Sequence, residues 1–492
     1  MKLADLILEK GNCIEKACSG RGTCGKCKVI IKDDNVPSSN ADRFFFSENE
    51  LQLGYRLSCQ MEVDKDFDLD KVVIPDLSDK MDVLTIKTDK QPEGIDTSDT
   101  YDIAIDIGTT TIAFALVINE EVIDTYGIEN RQKVCGADVI SRIDVAISGK
   151  ADVLNSIIVD CLNEGIDYLI NKNGLMLNRL KHIVVAGNTT MLHILCNYSL
   201  EGLSKYPFKP VSLDMEKHDA VSLLGRDDIL SAEIIILPGI SSFIGADIVS
   251  GLFYLSDRFD DNVLFIDLGT NGEIALINDD KISVTSTAAG PAFEGVNITC
   301  GCPSINGAIC DLDIRSNGKV TYKSIGGKTP IGICGSGIIA AISEMLDNNI
   351  IDKSGIYSTE YCDSGFAIIG NIIIKQSDIR EFQMAKAAIR TGIETLIKSE
   401  GIDVADINKV LLAGGFGNSI IISKAKNVGI FDKKMNCQFE VVGNTSLLGC
   451  VKFILTENAE EKCKAIVKKC KDIVLANEET FNNSFISNID FD

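Results

Sequence analysis

The sequence predicts a small α+β module followed by a large α/β unit that contains an internal duplication. The N-terminal stretch is rich in cysteine: Cys18, Cys24 and Cys27 share one glycine-rich segment, and Cys59 follows after a polar stretch. From residue 101 onward, apolar strands alternate with helical patterns. One unit there, a strand followed by Asp-x-Gly-Thr and a second strand, occurs twice. A chain of 492 residues is long enough for two or three domains.

The four N-terminal cysteines have the arrangement that a 2Fe–2S cluster requires. Cys18, Cys24 and Cys27 form a C-x5-C-x2-C loop, and a distant segment supplies Cys59 as the fourth thiolate. Three loop glycines let the backbone curve so that its N–H groups face the cluster sulfurs: Gly20, Gly22 and Gly25. A structural zinc site is the alternative, although zinc sites more often combine C-x2-C with a second ligand pair.

Composition limits the classes of partner. The formal net charge of −23, with no cluster of Lys and Arg, disfavours nucleic acid and anionic membranes. The N-terminal apolar run is too short and too interrupted for a signal peptide, and no later window is apolar enough to span a membrane. We therefore expect a cytoplasmic protein. Most of its 17 cysteines lie in apolar contexts, as expected of buried thiols in a reducing cell. Cys300 and Cys302 form another close pair, without a second pair at ligand spacing.

The pattern along the chain divides it into a cluster module over 1–78, a linker over 79–100 and an α/β unit over 101–492. Strands are predicted at 28–32 and 72–75, where β-branched residues cluster. The linker is mostly polar and carries few signals of secondary structure.

The repeated unit carries candidate catalytic and phosphate-binding residues. Its first copy ends a strand at Asp106, and its second copy, 161 residues later, ends one at Asp267. The turns that follow offer backbone N–H groups and hydroxyls to phosphate oxygens. These turn residues are Gly108, Thr109 and Thr110 in the first copy and Gly269, Thr270 and Asn271 in the second. Each aspartate can hold Mg²⁺ or orient a water. One such hairpin is common, but two copies favour a nucleotide cleft between two subdomains, at about 101–260 and 261–492.

Other strand-to-helix turns support this organisation. A buried strand at 409–413 leads into Gly414 and Gly415, which let a nucleoside approach the backbone. The stretch 186–190 predicts another strand-to-helix turn, and 332–340 predicts a glycine-rich entry into a helix that packs closely.

A long helix is predicted from residue 378, with Asp378 as its cap and Glu381 in a capping box. Its apolar positions form one stripe that we expect to be buried: Ile379, Phe382, Ile389, Ile393 and Leu396. Lys386 is expected to be solvated, with contact to a nucleotide as the alternative.

In this order, Asp106-Ile-Gly-Thr-Thr, Asp267-Leu-Gly-Thr-Asn-Gly and Ala413-Gly-Gly-Phe-Gly resemble phosphate-1, phosphate-2 and adenosine motifs. Such motifs belong to the superfamily of acetate and sugar kinases, heat-shock chaperone ATPases and actin. With the cysteine module added, the whole chain resembles the reductive activators of corrinoid proteins. Four further stretches support the resemblance: 135–142, 238–247, 288–295 and 442–449. It implies a duplicated actin-like ATPase core of two RNase H-like subdomains, preceded by a ubiquitin-like 2Fe–2S ferredoxin module.

The resemblance also implies an activity. An ATP-dependent reductive activase would pass electrons from the 2Fe–2S cluster to the corrinoid protein of a methyltransferase or O-demethylase system, reducing inactive Co(II) to Co(I). Asp106 and Asp267 would organise Mg²⁺ and water, and the Gly-Thr turns would bind the phosphates of ATP. Gly414 and Gly415 would contact the nucleoside. The implied partners are the corrinoid protein and a low-potential electron donor, and a homodimer is left open.

The sequence differs from the family pattern in two respects, and other functions remain possible interpretations of the same motifs. Cys18 lies very near the N-terminus, so part of the ubiquitin-like sheet is expected to be missing and the cluster to be more exposed. Only the segment 79–100 stands where several relatives have a further domain. An ATP-gated donor to another metalloenzyme, or a small-molecule kinase with a regulatory cluster, would share these motifs. A zinc-stabilised scaffold with an inactive cleft is more remote.

Overall fold

The computed structural model describes residues 1–10, 14, 20, 22, 27–32, 36–46, 48–73, 99–315, 317–362, 364–414, 420–478 and 481–491. Almost all of the predicted linker 79–100 lies outside these residues, as do Cys18, Cys24, Gly25 and Gly415. Within the described ranges, no helix combines the length and the apolar character that crossing a membrane requires.

The N-terminal module is a small sheet covered by short helices. Its strands are β1 (Lys28–Ile31), β2 (Tyr55–Leu57) and β3 (Val72–Val73), and its helices are α1 (Leu3–Glu9), α2 (Asn40–Phe45) and α3 (Glu48–Gln52). Strand β1 pairs antiparallel with both neighbours, in the order β2-β1-β3. Leu3, Ile7, Val29, Ile31 and Leu57 form its core. The strand predicted at 28–32 is confirmed. The one predicted at 72–75 is confirmed for its first two residues, and the others lie outside the described part.

The first half of the α/β unit is built on one mixed sheet. Its strands are β4 (Tyr101–Ile107), β5 (Thr111–Ile118), β6 (Glu121–Glu129), β7 (Leu180–Gly187), β8 (Glu216–Asp219) and β9 (Glu233–Ile236). Among the described residues their order is β6-β5-β4-β7-β9-β8. Strands β4, β5 and β6 form an antiparallel meander, while β7 runs parallel to β4 and β9 runs parallel to β7.

The second half repeats that arrangement and adds an insertion. Its strands are β10 (Val263–Leu268), β11 (Gly272–Asn278), β12 (Lys281–Thr287), β13 (Ala308–Ile314), β14 (Val320–Ser324), β15 (Gly332–Ile333), β16 (Phe366–Ile369), β17 (Ile372–Ile374), β18 (Lys409–Gly414), β19 (Gln438–Gly443) and β20 (Cys470–Asp472). The described main sheet has the order β19-β18-β10-β11-β12-β20, and strands β13 to β17 form two small sheets inserted after β12.

The helices of the two halves occupy corresponding places in the chain. They are α4 (Val139–Val145), α5 (Ala151–Lys172), α6 (Thr189–Leu195), α7 (Glu201–Ser204), α8 (Ala220–Leu224), α9 (Ala246–Leu255), α10 (Gly335–Asp347), α11 (Gln376–Ser399), α12 (Ile422–Asn427), α13 (Thr445–Leu455), α14 (Ala459–Lys469) and α15 (Phe481–Ser487). Helices α5 and α11 precede β7 and β18, the first parallel strand of each half, and α9 and α13 follow β9 and β19, the second parallel strand.

The structure confirms the internal duplication. In each half a meander of three strands is extended by two parallel strands, so β4 corresponds to β10, β5 to β11, β6 to β12, β7 to β18 and β9 to β19. The halves differ at their edges: in the first half β8 is added antiparallel beside β9, and in the second half β20 is added parallel beside β12, at the opposite edge of the sheet. Because β4 and β10 correspond, Asp106 and Asp267 lie at equivalent strand ends.

Helices α9 and α13 join the two halves through small residues. A Cβ placed on Gly449 would lie 2.0 Å from the carbonyl oxygen of Ser250, so no larger residue fits without separating the helices. The Ser250 hydroxyl donates to the carbonyl of Ser446 at 2.7 Å across the same contact. Gly251 is similarly tight, since its Cβ would lie 2.8 Å from the Thr445 hydroxyl oxygen. This close crossing fixes the two sheets relative to each other.

The local predictions around the helices are partly confirmed. Helix α6 follows β7 at the turn predicted for 186–190, and α10 begins in the predicted glycine-rich stretch. A Cβ on Gly337 would lie 2.1 Å from the Ile309 carbonyl oxygen, which confirms close helix packing there. The apolar stripe of α11 is buried throughout.

Two predictions on α11 are wrong. The helix begins at Gln376, before Asp378, whose carboxylate instead accepts from the backbone N–H of Lys375 at 2.8 Å and from Thr299 at 2.9 Å. The cap predicted at Asp378 with Glu381 is therefore displaced toward the N-terminus. Lys386 is not solvated, because its side chain is buried, donates to the Asp490 carbonyl and lies over the ring of Phe491.

We predict that Gly449→Leu lowers the free energy of unfolding of the α/β unit by about 1–3 kcal/mol, because the added side chain must displace Ser250 and separate the two helices. Urea denaturation followed by circular dichroism measures the effect. Lys462→Leu, which adds the same side chain at an exposed position of α14, is the matched control. Equal stability of the two variants would contradict the close crossing.

Candidate functional site

A cleft of about 280 Å³ lies between the two halves, where the strand ends of both meanders meet. It contains every described candidate of the nucleotide set: Asp106, Gly108, Thr109, Thr110, Asp267, Gly269, Thr270, Asn271 and Gly414. The structure therefore brings together residues that are far apart in the chain. Other lining residues had no individual role predicted from the sequence, among them Asn188, Asp247, Glu273, Glu294, Asn444 and Ser446.

Asp106 is held by the opposite half of the molecule. The Asn444 amide donates to one of its carboxylate oxygens at 2.8 Å, and the Ser446 hydroxyl donates to the other at 2.7 Å. Both donors lie at the start of α13, whose crossing with α9 places them there. Burial raises the pKa of Asp106 above its usual value, and these two hydrogen bonds oppose that rise.

Asp267 lies in the same cleft among other carboxylates. Burial, reinforced by the negative charges of Asp247 and Asp106, raises the pKa of Asp267 to about 8. Burial likewise raises the pKa of Asp247 to about 7, and that of Glu273 well above its usual value. Several acidic groups are thus crowded in a space with little water, where their charged forms repel one another. Oxygen donors in this arrangement are the kind of ligand that a hard divalent cation takes.

Gly414 can only be glycine. Its φ of +90° is disfavoured for any side chain, and a Cβ there would lie 2.3 Å from the Leu268 carbonyl oxygen and 2.8 Å from a carboxylate oxygen of Asp267. Strand β18 therefore approaches β10 closely at the cleft. The role of Gly414 in letting a nucleoside approach the backbone stays a prediction.

Glu294 links the two Gly-Thr turns. Its carboxylate accepts from the Thr110 hydroxyl at 2.9 Å and from the Thr270 hydroxyl at 3.0 Å. It lies on a short 3-10 helix, Pro291–Glu294, that reaches into the cleft. The side chain of Glu294 thus accepts the hydrogen bonds that the threonine hydroxyls of both turns donate. The sequence could not identify Glu294, because only the shape of the cleft brings the three side chains together.

Arg142 lies directly beneath the first Gly-Thr turn. It is fully buried, and its guanidinium donates to the carbonyl of Thr109 at 2.6 Å, to that of Gly136 at 2.9 Å and to the Gln132 side chain at 3.2 Å. Burial lowers the pKa of Arg142 to about 10, so the group keeps its charge at neutral pH. On the cleft side, the Asn188 amide donates to the Thr109 hydroxyl at 3.1 Å. The turn is therefore fixed from both sides.

In the N-terminal module, the structure places two predicted cluster ligands at the same end of the paired strands β1 and β2. Cys27 and Cys59 are both buried, and the Ser58 backbone N–H and hydroxyl each donate to the Cys27 carbonyl at 2.9 Å. The Gln60 amide donates to the Cys59 sulfur at 3.3 Å and to the Gly20 carbonyl at 2.8 Å. Buried thiols with an N–H group directed at sulfur fit an iron–sulfur cluster. Gly20 and Gly22 have positive φ, which glycine adopts at no steric cost.

Three family models of known proteins match parts of the chain. It matches the model of the 2Fe-2S iron-sulfur cluster binding domain over residues 1–64, that of the RACo middle region over 101–256, and that of the C-terminal domain of RACo, the ASKHA domain, over 261–492. It is 33% identical over 423 residues to the corrinoid activation enzyme RamQ of Eubacterium limosum, covering 80% of this chain and 70% of that protein.

Two further relatives extend the comparison. The chain is 28% identical over 429 residues to the [Co(II) methylated amine-specific corrinoid protein] reductase of Methanosarcina barkeri, covering 80% of this chain and 77% of that protein. Its fold is similar to the solved structure of a reductive activator for corrinoid, iron-sulfur protein, with a TM-score of 0.73 and 28% identity over 100% of this chain and 95% of that one.

We predict that Arg142→Met weakens ATP binding by about tenfold, because the carbonyl of Thr109 loses its donor and the turn loses its fixed position; one lost charged hydrogen bond accounts for about 1.4 kcal/mol. Isothermal titration calorimetry measures the affinity, and the iron content reports that the cysteine module is unaffected. Arg179→Met removes an exposed arginine and serves as the control. An affinity like that of the control would contradict this role of Arg142.

We also predict a pH dependence of stability that arises from Asp267. Because its pKa is raised from 3.8 to about 8, the folded state holds the proton more tightly than the unfolded state. The stability from this group is complete below pH 3.8 and is lost as the pH rises through about 8. Without nucleotide or divalent cations, Asp267→Asn should melt at least ~2 °C above the wild type at pH 8, a difference that shrinks toward pH 5.

Differential scanning calorimetry across that pH range tests the prediction. Asp227→Asn neutralises an exposed carboxylate and should leave the wild-type profile unchanged. A lower melting temperature of Asp267→Asn at pH 8 would show that the charged form of Asp267 stabilises the fold, contrary to the geometry.

Proposed function

The chain belongs to the RACo family of corrinoid activators, and we propose that it transfers electrons, with the help of ATP, from a 2Fe–2S cluster to a corrinoid protein, reducing Co(II) to Co(I). The observation that carries the proposal is the presence of two sites in one chain. One is a module with two buried cysteines at one end of a strand pair, and the other is a cleft in which two Gly-Thr turns surround a group of carboxylates.

We propose that Cys18, Cys24, Cys27 and Cys59 hold the cluster, which supplies one-electron transfer when bound. Cys27 precedes β1 and Cys59 follows β2, so the pairing of these strands fixes two ligands at one end of the sheet. The Gln60 amide, directed at the Cys59 sulfur, would favour a more negative charge there and so affect the reduction potential.

In the cleft, we propose that the hydroxyls and backbone of Thr109, Thr110, Gly269 and Thr270 bind the phosphates of ATP, with Asn271 beside them. Asp106 and Asp267 would hold Mg²⁺ and orient a water for in-line attack. Burial raises the pKa values of both carboxyl groups, and with a divalent cation bound beside them Asp106 and Asp267 would give up their protons and act as carboxylate ligands. Gly414 and Gly415 would allow the nucleoside to approach the backbone.

The contact between Glu294 and the two turns gives ATP binding a structural consequence. The hydroxyls of Thr110 and Thr270 each donate to Glu294, and a phosphate that takes these donors must displace its carboxylate. Because the 3-10 helix of Glu294 packs against α10 and α11, this displacement would move the insertion of the second half. We propose this movement as the means by which nucleotide alters the surface presented to the corrinoid protein.

We propose that ATP is needed because the Co(II)/Co(I) couple of the partner lies at a lower potential than the cluster provides. Roughly 30 to 60 mV of such a difference costs on the order of 1 kcal/mol. ATP binding or hydrolysis would supply this free energy in the complex with the partner. A polar linker over 79–100 would let the cluster module meet first a low-potential donor and then the corrinoid protein. The boundaries 1–78, 79–100 and 101–492, the division near residue 260 and a cytoplasmic location stay predictions.

We predict that reduction requires both sites of the full-length chain. The wild type with ATP, Mg²⁺ and a low-potential donor should convert the Co(II) form of a corrinoid protein of a methyltransferase system to Co(I), observed anaerobically in its visible spectrum. Cys59→Ser should bind ATP but transfer no electrons. Asp267→Asn should keep its iron but lose ATP turnover and most of the reduction, because an amide replaces a carboxylate poorly as a ligand of Mg²⁺.

Cys310→Ser, which changes a cysteine outside the module, is the control and should behave as the wild type. Equal reduction by Cys59→Ser would show that the cluster is not the path of the electron. Equal reduction without ATP would show that the cleft is not coupled to it. ATP-dependent phosphorylation of a sugar or carboxylate without a corrinoid protein would favour a kinase instead.

A further inference from the structure

A second group of metal-ligand side chains lies outside both sites. Cys196 stands at the C-terminal end of α6, and Glu216 and His218 lie on the edge strand β8. One sulfur, one carboxylate oxygen and one imidazole nitrogen of these three residues lie within 4.8 Å of one another. Among the described residues, no other three cysteine, histidine or acidic side chains come this close in a ligand arrangement.

The strand geometry explains why two of the three side chains meet. Successive residues of a strand point to opposite faces, so Glu216 and His218 share the face that Lys217 does not. That face is half-buried and looks toward the end of α6, whereas Lys217 and Asp219 are exposed. The imidazole Nε2 of His218 lies 3.1 Å from a carboxylate oxygen of Glu216. A carboxylate oxygen and an imidazole nitrogen, two different kinds of metal ligand, are thus held in place in the absence of a metal ion.

Two neighbouring side chains contact this region but do not supply a further metal ligand. The Tyr198 hydroxyl donates to the same oxygen of Glu216 at 2.6 Å, an outer contact of the kind that orients metal-binding carboxylates. His193 is one turn earlier on α6, but both of its ring nitrogens are engaged, one with the Thr189 carbonyl at 2.7 Å and one with the Val211 N–H at 2.9 Å.

A small cavity adjoins the group. It has a volume of about 20 Å³, and Cys196, Tyr198, Glu216 and His193 are among its lining residues. This is room for one water, which has polar partners on its walls. Three protein ligands with a water in the remaining position is an established coordination for zinc.

We propose that Cys196, Glu216 and His218 bind one Zn²⁺ ion. A sulfur, a nitrogen and an oxygen donor match a borderline-soft cation, whereas Mg²⁺ and Ca²⁺ take oxygen ligands and iron–sulfur clusters take thiolates. On binding, the Cys196 thiol gives its proton to solvent and the thiolate sulfur bonds to the metal. This site is separate from the N-terminal cysteines and does not depend on the proposed function.

The ion would fasten the loop between Cys196 and Glu216 at both ends. Helix α6 begins after Asn188, which donates to Thr109 in the cleft, and Lys217 on β8 pairs with Glu460 of the other half at 2.6 Å. The metal would therefore stiffen a wall that runs from the cleft to the edge of the sheet.

The experiment uses the full-length chain with its iron–sulfur module loaded, so that the N-terminal cysteines are not open to zinc. Protein dialysed anaerobically against a chelator is titrated with Zn²⁺ in competition with a chromophoric chelator, and X-ray absorption at the zinc edge gives the ligands. We expect one zinc per chain in addition to iron, with one sulfur and otherwise nitrogen and oxygen neighbours. The zinc-loaded protein should melt several degrees higher than the zinc-free protein.

Cys196→Ala and His218→Gln should each weaken zinc binding by at least tenfold, and Cys310→Ser should bind zinc as the wild type does. The second variant keeps a polar side chain at a half-buried position, so its fold is expected to persist. A wild type that binds zinc no more tightly than the two variants, or zinc surrounded by four sulfurs, would overturn the proposal. Either result would leave Glu216 as the hydrogen-bond partner of Tyr198 and His218, with no metal beside Cys196.

Discussion

The close crossing of α9 and α13 is the contact on which the cleft depends. At Gly449 and Ser250 the two helices approach so closely that a single methyl group would not fit. The packing of small residues is specific, since only one relative position of the helices avoids both clashes and voids. Because α13 begins with the donors to Asp106, the same contact that joins the halves also fixes the first carboxylate of the cleft. Fold and site are thus set by one interface.

That interface forces together charges that would otherwise repel. Asp106, Asp247 and Asp267 come from different elements and share one cleft in which burial raises their pKa values. Burying these carboxylates in their charged form costs free energy when no cation is bound, and a bound cation and phosphate offset that cost. Glu294 accepts hydrogen bonds from the same threonine hydroxyls that a bound phosphate would use, so it competes with a phosphate for them. The free energy of ligand binding is therefore linked to how the two halves are arranged, which is what coupling ATP to a partner requires.

The two sites use different means of holding their ligands in place. The cysteine module relies on a short strand pair and on Gln60, all within the N-terminal part of the chain. The cleft relies on residues hundreds of positions apart. A zinc ion at Cys196, Glu216 and His218 would add a third means, which fixes a loop at the edge of the first half without entering either site. Each of these constraints can be removed singly by mutation, so their contributions to electron transfer are separable.

The sequence by itself determined the features that depend on local residue patterns. Cysteine spacing indicated the cluster module, the recurrence of Asp-x-Gly-Thr at Asp106 and Asp267 indicated the duplication and the cleft, and the apolar stripe of α11 indicated its buried face. Where the sequence was wrong, a distant segment decided the outcome: Asp490 and Phe491 cover Lys386, and Thr299 engages Asp378.

Only the tertiary structure placed Glu294 between the two turns, Arg142 beneath one of them, and Cys196 beside β8. Periodicity reports which face of an element is buried, because burial repeats with the geometry of the helix or strand. It does not report which side chain from elsewhere fills that space. Hydrogen-bond partners and the degree of desolvation, and with them the pKa values of the cleft, arise only when remote segments pack together.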